Sequence, residues 1–209
     1  MLNPESLIYL ARHGETAWSM TGQHTGRTDL PLTERGERNA RQLGQRLRGL
    51  QVARVFCSPL LRARQTCELA GFGPSSAGVQ AELEPDLLEW DYGDYEGLTT
   101  AEIHQCRPGW QIFRDGCPGG ESVADVCARA ERMVSKLRAL DQPALLFSSG
   151  HLMEMLTVRW LGLPAETATN LYLDTASLSI VGYHRTITHP VLRLWNCRRH
   201  AEADAAEDA

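Results

Sequence analysis

The feature that most constrains this chain is a short, wholly apolar run, Leu7 to Ala11, that stops abruptly at Arg12-His13-Gly14. Such a run suits a strand buried on both faces of a sheet, and the switch to polar residues places Arg12 and His13 at its carboxyl end. The pattern recurs at Ala144 to Phe147, which ends in Ser148-Ser149-Gly150 and is followed by a helical stretch from His151 to Leu161. Thr33 is positioned to cap a helix running to about Leu50, with Ala40, Leu43, Leu47 and Leu50 on one face. Val52 to Cys57 reads as a strand, and Ser58-Pro59 opens a helix through Arg62, Ala63, Thr66 and Leu69 with proline in its first turn. Gly71 to Gly78 is a loop, Glu82 to Leu88 a short strand, and Glu89 to Gly97 a turn-rich stretch. Val123, Val126, Cys127, Ala130, Met133, Val134, Leu137 and Leu140 follow helical spacing and predict an amphipathic helix over Ser122 to Leu140. Ser177 to Tyr183 and Val191 to Trp195 close the chain as two strands, joined by a connection containing His184, His189 and Pro190.

Alternating strands and helices predict an α/β fold, a three-layer α/β/α sandwich around a mostly parallel central sheet. Such sheets hold ligands beyond the carboxyl ends of their strands, where Arg12, His13, Arg62, Glu89 and Ser149 all fall. With 209 residues, 43% of them hydrophobic, the chain can bury one core, and residues 1–198 read as one domain followed by an acidic, frayed tail over 199–209. A formal charge of -5 argues against nucleic acid or an anionic membrane as partner, so an anionic ligand must be met by a local basic pocket. The six cysteines lie too far apart in sequence for close zinc or dithiol pairs, which predicts reduced, packed thiols. The first residues lack a basic leader with a long apolar stretch, and no long apolar run occurs elsewhere; the expectation is a soluble cytoplasmic protein.

At these strand ends the residue types suit phosphoryl chemistry. A neutral imidazole, here His13, is a competent nucleophile near neutral pH. Arg12 and Arg62 would offer two planar forks of donors to phosphate oxygens. Gly14 lets backbone approach an anion, with following amides as donors, and Glu89 is the carboxyl placed to protonate a leaving alkoxide and later activate water. His24, His104, His184, His189 and His200 show no metal-ligand spacing, and Trp90, Trp110, Trp160 and Trp195 read as core or pocket wall. No metal or cofactor is expected.

Taken together the motifs resemble the histidine phosphatase superfamily, the phosphoglycerate mutase-like family, over roughly residues 7–197. The resemblance rests on Arg12-His13-Gly14-Glu15-Thr16, Thr25-Gly26, Asp29, Pro31-Leu32-Thr33, Ser58-Pro59, Arg62-Ala63 and Gln65-Thr66, then Glu89-Trp90-Asp91-Tyr92-Gly93, Glu96-Gly97 and Pro118-Gly119-Gly120-Glu121-Ser122. It implies that His13 becomes phosphorylated, that Arg12 and Arg62 hold phosphate and that Glu89 donates the proton. Within the family, Gly22 to Asp29, Trp90 to Gly97, Asp174 to Ser177 and Leu194 to Asn196 are similar to the acid phosphatase and sugar-phosphate phosphatase branch. About 27 residues separate Gly93 from Glu121, without the extra segment with which mutases cover a retained intermediate. Substrate contacts are expected from Gly14, Ser19, Gln23, His24, Thr25, Gly26, Arg27, Tyr92, Ser149, Gly150 and His151.

Three positions depart from the family pattern. Ser149 stands where a second pocket histidine is usual, and losing one such donor costs ~2.7 to 4 kcal/mol of transition-state stabilisation. His151, two residues on, either turns inward to replace it or sits on the helix surface. Ser19 replaces a common asparagine and Glu154 a common arginine; a carboxylate facing the pocket would repel phosphate, so Glu154 is expected to point away. The leading expectation is a metal-independent phosphatase for small phosphate esters such as sugar phosphates, in whose site phosphate or sulfate would also fit. A phosphate-binding homologue weakened by Ser149 and a phosphoglycerate mutase stay open as alternatives, as do the substrate and the oligomeric state.

Overall fold

The computed structural model describes residues 7–201. The chain runs β1 (Ile8–Arg12), α1 (Ala17–Thr21), α2 (Glu34–Arg46), β2 (Arg54–Cys57), α3 (Leu61–Cys67), β3 (Ala81–Leu83), α4 (Thr100–Cys106), α5 (Ile112–Asp115), α6 (Val123–Arg138), β4 (Ala144–Ser148), α7 (Gly150–Leu161), β5 (Leu178–His184) and β6 (Thr186–Cys197). The six strands form one sheet in the order β3-β2-β4-β1-β5-β6. The first four are parallel, and β5 and β6 add an antiparallel pair at one side. The predicted α/β sandwich with a mostly parallel sheet is the fold observed.

Residues alternate across the sheet. Val55, Cys57, Leu145 and Phe147 pack with Leu43, Ala63 and Cys67 of α2 and α3 on one face. Phe56, Ala144 and Leu146 pack with Val126, Met133, Leu152 and Leu156 of α6 and α7 on the other. Every residue of β4 is buried, because helices cover both of its faces. The register sets Arg12 beside Ser148 and Cys57 beside Phe147, so β1, β2 and β4 end level with one another. One edge of the sheet therefore collects His13, Ser58 and Ser149.

Several elements differ from expectation for local reasons. Leu60 caps α3, leaving Pro59 one residue outside the helix. The strand expected over Glu82 to Leu88 stops at Leu83, because Pro85 starts a 3-10 turn, Pro85–Leu87. The β5–β6 hairpin turns tightly at Arg185, with φ 63°, and β6 already contains His189 and Pro190. Proline is tolerated there because β6 is an edge strand. Of the expected tail, His200 lies with Nε2 2.8 Å from the Ala176 carbonyl and Ala201 is buried; residues 202–209 lie outside the described residues. Among the described residues no helix is long and apolar enough to cross a membrane.

Candidate active site

A cleft of about 300 Å³ opens beyond the carboxyl ends of the strands. Arg12, His13, Ser19, Gln23, His24, Thr25, Glu89, Tyr92, Gly150 and His151 line it, and Glu154 and Tyr172 to Thr175 complete its wall.

The backbone of His13 is fixed from both sides: its N–H donates to the Ser148 carbonyl at 2.9 Å, and its own carbonyl accepts from Ala176 at 2.9 Å. The Nδ1 of His13 lies 2.7 Å from the Gly14 carbonyl. A carbonyl only accepts, so Nδ1 carries the proton and Nε2 keeps its lone pair. Burial, reinforced by the charges of Arg62 and Arg12, holds this imidazole well below the ordinary histidine range. The result is a neutral ring with a defined tautomer at the floor of the cleft.

The Arg12 guanidinium donates to the Leu173 carbonyl, while its Nε is buried without a partner. A Cβ at position 150 would lie 3.3 Å from Arg12 Cζ, so Gly150 makes room for this guanidinium at the start of α7. Glu89 is held by three backbone N–H groups. Trp90 and Leu152 donate to Oε1, each at 2.9 Å, and His151 donates to Oε2 at 3.2 Å. The carboxyl thus faces the cleft from the amino end of α7.

Arg62 is placed differently from the expectation of two forks open to phosphate. It is fully buried and absent from the cleft lining. Its Nη1 donates to the Thr28 carbonyl at 3.1 Å, and Nη2 donates to those of Thr25 at 2.8 Å and Gly26 at 3.1 Å, leaving Nε buried without a partner. It holds the 25–28 loop from below, while Glu96 accepts the N–H groups of Gly26 and Thr28. Gly26 packs too closely for any side chain, since a Cβ there would lie 2.4 Å from the Trp90 carbonyl. Gly14 also serves packing rather than ligand: its N–H donates to Thr66 Oγ1, and a Cβ would lie 2.6 Å from the Gly36 carbonyl. Arg27 pairs with Asp91 and does not line the cleft. Ser19 does, but its hydroxyl serves the Thr16 capping box.

Two of the departures are resolved by geometry. Ser149 is fully buried, does not line the cleft and leaves Oγ without a partner. His151 turns inward, with Nδ1 2.6 Å from the Tyr92 hydroxyl and its ring 5.7 Å from that of His24. The expectation that Glu154 points away is wrong: it is buried against the cleft. Burial pushes its carboxyl up to about 8, against the opposing pull of Arg12, so near neutral pH it is largely uncharged and the anticipated repulsion is muted. The Tyr172 to Thr175 wall received no role from sequence beyond a motif match. Its only signal was its place just before the strand beginning at Ser177.

The buried groups carry a consequence for stability. Burial lowers His24 to about 4 and His151 to about 3, and His13 is lowered as well. As pH falls below about 6.5, the unfolded chain protonates these three imidazoles and the folded protein does not, so stability falls. Glu154 works oppositely: between its unfolded value and about 8 the folded carboxyl retains a proton that the unfolded one has released. From about pH 6 to 5 His24 and His151 give the unfolded state nearly two more protons than the folded state and Glu154 offsets about one of them, a net loss of ~1 kcal/mol per pH unit to which His13 adds in the same direction. Urea unfolding across this range measures the slope. A loss attributable to His24 and His151, by comparison with His24→Gln and His151→Gln, below ~1 kcal/mol per unit contradicts their being neutral buried imidazoles.

A model of the histidine phosphatase superfamily (branch 1) matches residues 8–198. The chain belongs to that superfamily. An acid phosphatase of Mycobacterium tuberculosis is 40% identical over 184 residues, covering 86% of this chain and 88% of that protein. The sedoheptulose 1,7-bisphosphatase of Saccharomyces cerevisiae is 36% identical over 190 residues, covering 78% and 69%. Relatives carrying a phosphoglycerate mutase name match as well. Among solved structures, an open reading frame product of M. tuberculosis superimposes with a TM-score of 0.84 at 38% identity, covering 92% of this chain and 97% of that one. This member of the superfamily is a phosphatase of the histidine phosphatase type, acting on phosphate esters.

Proposed function

We propose that this histidine phosphatase hydrolyses small phosphate monoesters without a metal, in two steps through a phosphohistidine on His13. The observation that carries the reading is the neutral His13, its Nδ1 proton committed to Gly14 and its Nε2 lone pair left for phosphorus. In the first step Nε2 forms a bond to phosphorus as the bond to the ester oxygen breaks, Arg12 holds the phosphoryl oxygens, and Glu89 transfers a proton to the departing alkoxide. In the second, Glu89 takes a proton from water, whose oxygen attacks phosphorus; the P–N bond breaks and phosphate leaves. Arg62 supports both steps by fixing the 25–28 loop and by a charge that adds to burial in keeping His13 unprotonated.

His151 takes the place left by the buried Ser149. The Tyr92 hydroxyl lies 2.6 Å from Nδ1 of His151; in this reading the hydroxyl is the donor, which leaves Nε2–H as an uncharged donor to the phosphoryl group. Among the described residues no group of three or more His, Cys, Asp or Glu is placed to hold a metal ion. A radiolabelled ester quenched in alkaline denaturant should leave label on His13, with turnover unchanged by a chelator. Bound phosphate without labelling or hydrolysis would instead support a binding protein, and label passed to a second alcohol in preference to water a mutase. His151→Phe should lower kcat by roughly 10²- to 10³-fold, as loss of an oxyanion donor does. An unchanged kcat removes His151 from the mechanism.

A further inference from the structure

The cleft has an unbalanced charge inventory. Among the described residues that line it, Arg12 is the one arginine or lysine, whereas Glu89, Glu154 and Asp174 supply three carboxyls. In the hydrolytic reading Arg12 is committed to the phosphoryl group and Glu89 to proton transfer, so Glu154 and Asp174 face what remains of the substrate. Glu154 lies one helical turn beyond Gly150 on α7, on the face where Gly150 accommodates Arg12 and from which His151 reaches Tyr92. Asp174 accepts from Asn196 Nδ2 at 3.0 Å and lies 3.8 Å from Arg198, an arginine outside the cleft lining. The exposed Tyr172 ring stands at the same wall. A second carboxylate or phosphate on a substrate would lose its water here without gaining a cation.

We propose that Glu154 is a specificity-determining residue that admits phosphate monoesters with uncharged, hydroxyl-bearing leaving groups and rejects those whose leaving group carries a second anion. A protonated carboxyl both donates and accepts hydrogen bonds, which suits an alcohol hydroxyl; an ionised one adds repulsion toward an anion. The balance shifts with pH because burial raises this carboxyl to about 8. The groups facing it are Arg12, Glu89 and the Leu173 backbone N–H. His13, His24 and His151 are already neutral, and burial moves Tyr92 well above its ordinary value, so Glu154 dominates changes in cleft charge between about pH 7 and 9.

The inference rests on hydrolysis by this site, and the test separates the two. Glycerol phosphate and phosphoglycerate, phosphorylated on the same carbon, differ only in a terminal CH₂OH or carboxylate. Their kcat/KM ratio is measured from about pH 7 to 9 for the wild type and Glu154→Gln, alongside an aryl phosphate. The wild type should favour glycerol phosphate by a ratio that rises through pH 8 to at least about tenfold by pH 9, and Glu154→Gln, which stays uncharged, should hold near the wild-type pH 7 ratio at every pH. Equal or better use of phosphoglycerate, or a wild-type ratio flat with pH, overturns the proposal even if the variant fails to fold. Absence of hydrolysis of every ester, the aryl phosphate included, overturns the hydrolytic reading and the inference with it.

Discussion

His13→Ala should lower turnover of any phosphate ester by roughly 10⁴- to 10⁶-fold, the scale of loss when a nucleophile is removed from groups that act as a unit. The substitution leaves Arg12 and its contact with the Leu173 carbonyl in place, so affinity for inorganic phosphate should survive while the covalent intermediate disappears. The backbone bonds of residue 13 to Ser148 and Ala176 do not involve the ring and persist in the variant. Its fold should therefore be intact, and its acid sensitivity weaker, because one of the three neutral buried imidazoles is gone. Added imidazole, small enough to enter the vacated space, should restore part of the turnover. Undiminished hydrolysis by a folded His13→Ala protein would remove the nucleophile from the mechanism altogether.

The parts of this site legible in the sequence are those carried by strand ends. An apolar run that breaks into Arg12-His13-Gly14 fixes both a buried strand and the side of the sheet where its polar residues emerge, because parallel strands share that edge. The long helices were readable for a similar reason: the apolar spacing of α2 and α6 exceeds three turns, and Thr33 and Ser122 cap them as their chemistry predicts. Shorter elements carry too few periods to register, although Thr99 and Glu102 form a capping box that marks the start of α4. What the sequence does not determine is how a side chain's polar atoms are spent. Arg62 and Gly14 occupy the expected neighbourhood, yet carbonyls take up three of the five guanidinium N–H groups and a threonine hydroxyl accepts from Gly14. A fixed negative charge would turn Glu154 away from the cleft, whereas burial shifts its protonation instead of expelling it.

Arg62→Met should destabilise the protein by ~3 to 5 kcal/mol, the cost of leaving several buried acceptors without their charged donor. The carbonyls of Thr25, Gly26 and Thr28 all turn toward this one guanidinium, and water does not reach it from outside, since the side chain has no exposed surface. For a chain of about 200 residues each kcal/mol lowers Tm by ~2 to 4 °C, so a fall of roughly 6 to 20 °C is expected in thermal unfolding. Arg62→Lys separates the residue's two contributions. An ammonium retains the charge that reinforces burial in keeping His13 neutral, but it lacks the planar fork that spans three carbonyls. The lysine variant should thus be less stable than wild type and show a raised KM, because the loop bearing Thr25 loosens, while kcat at saturation changes much less. If Arg62 served only to grip phosphate, both variants would lose activity at unchanged Tm, and the positioning role would fail.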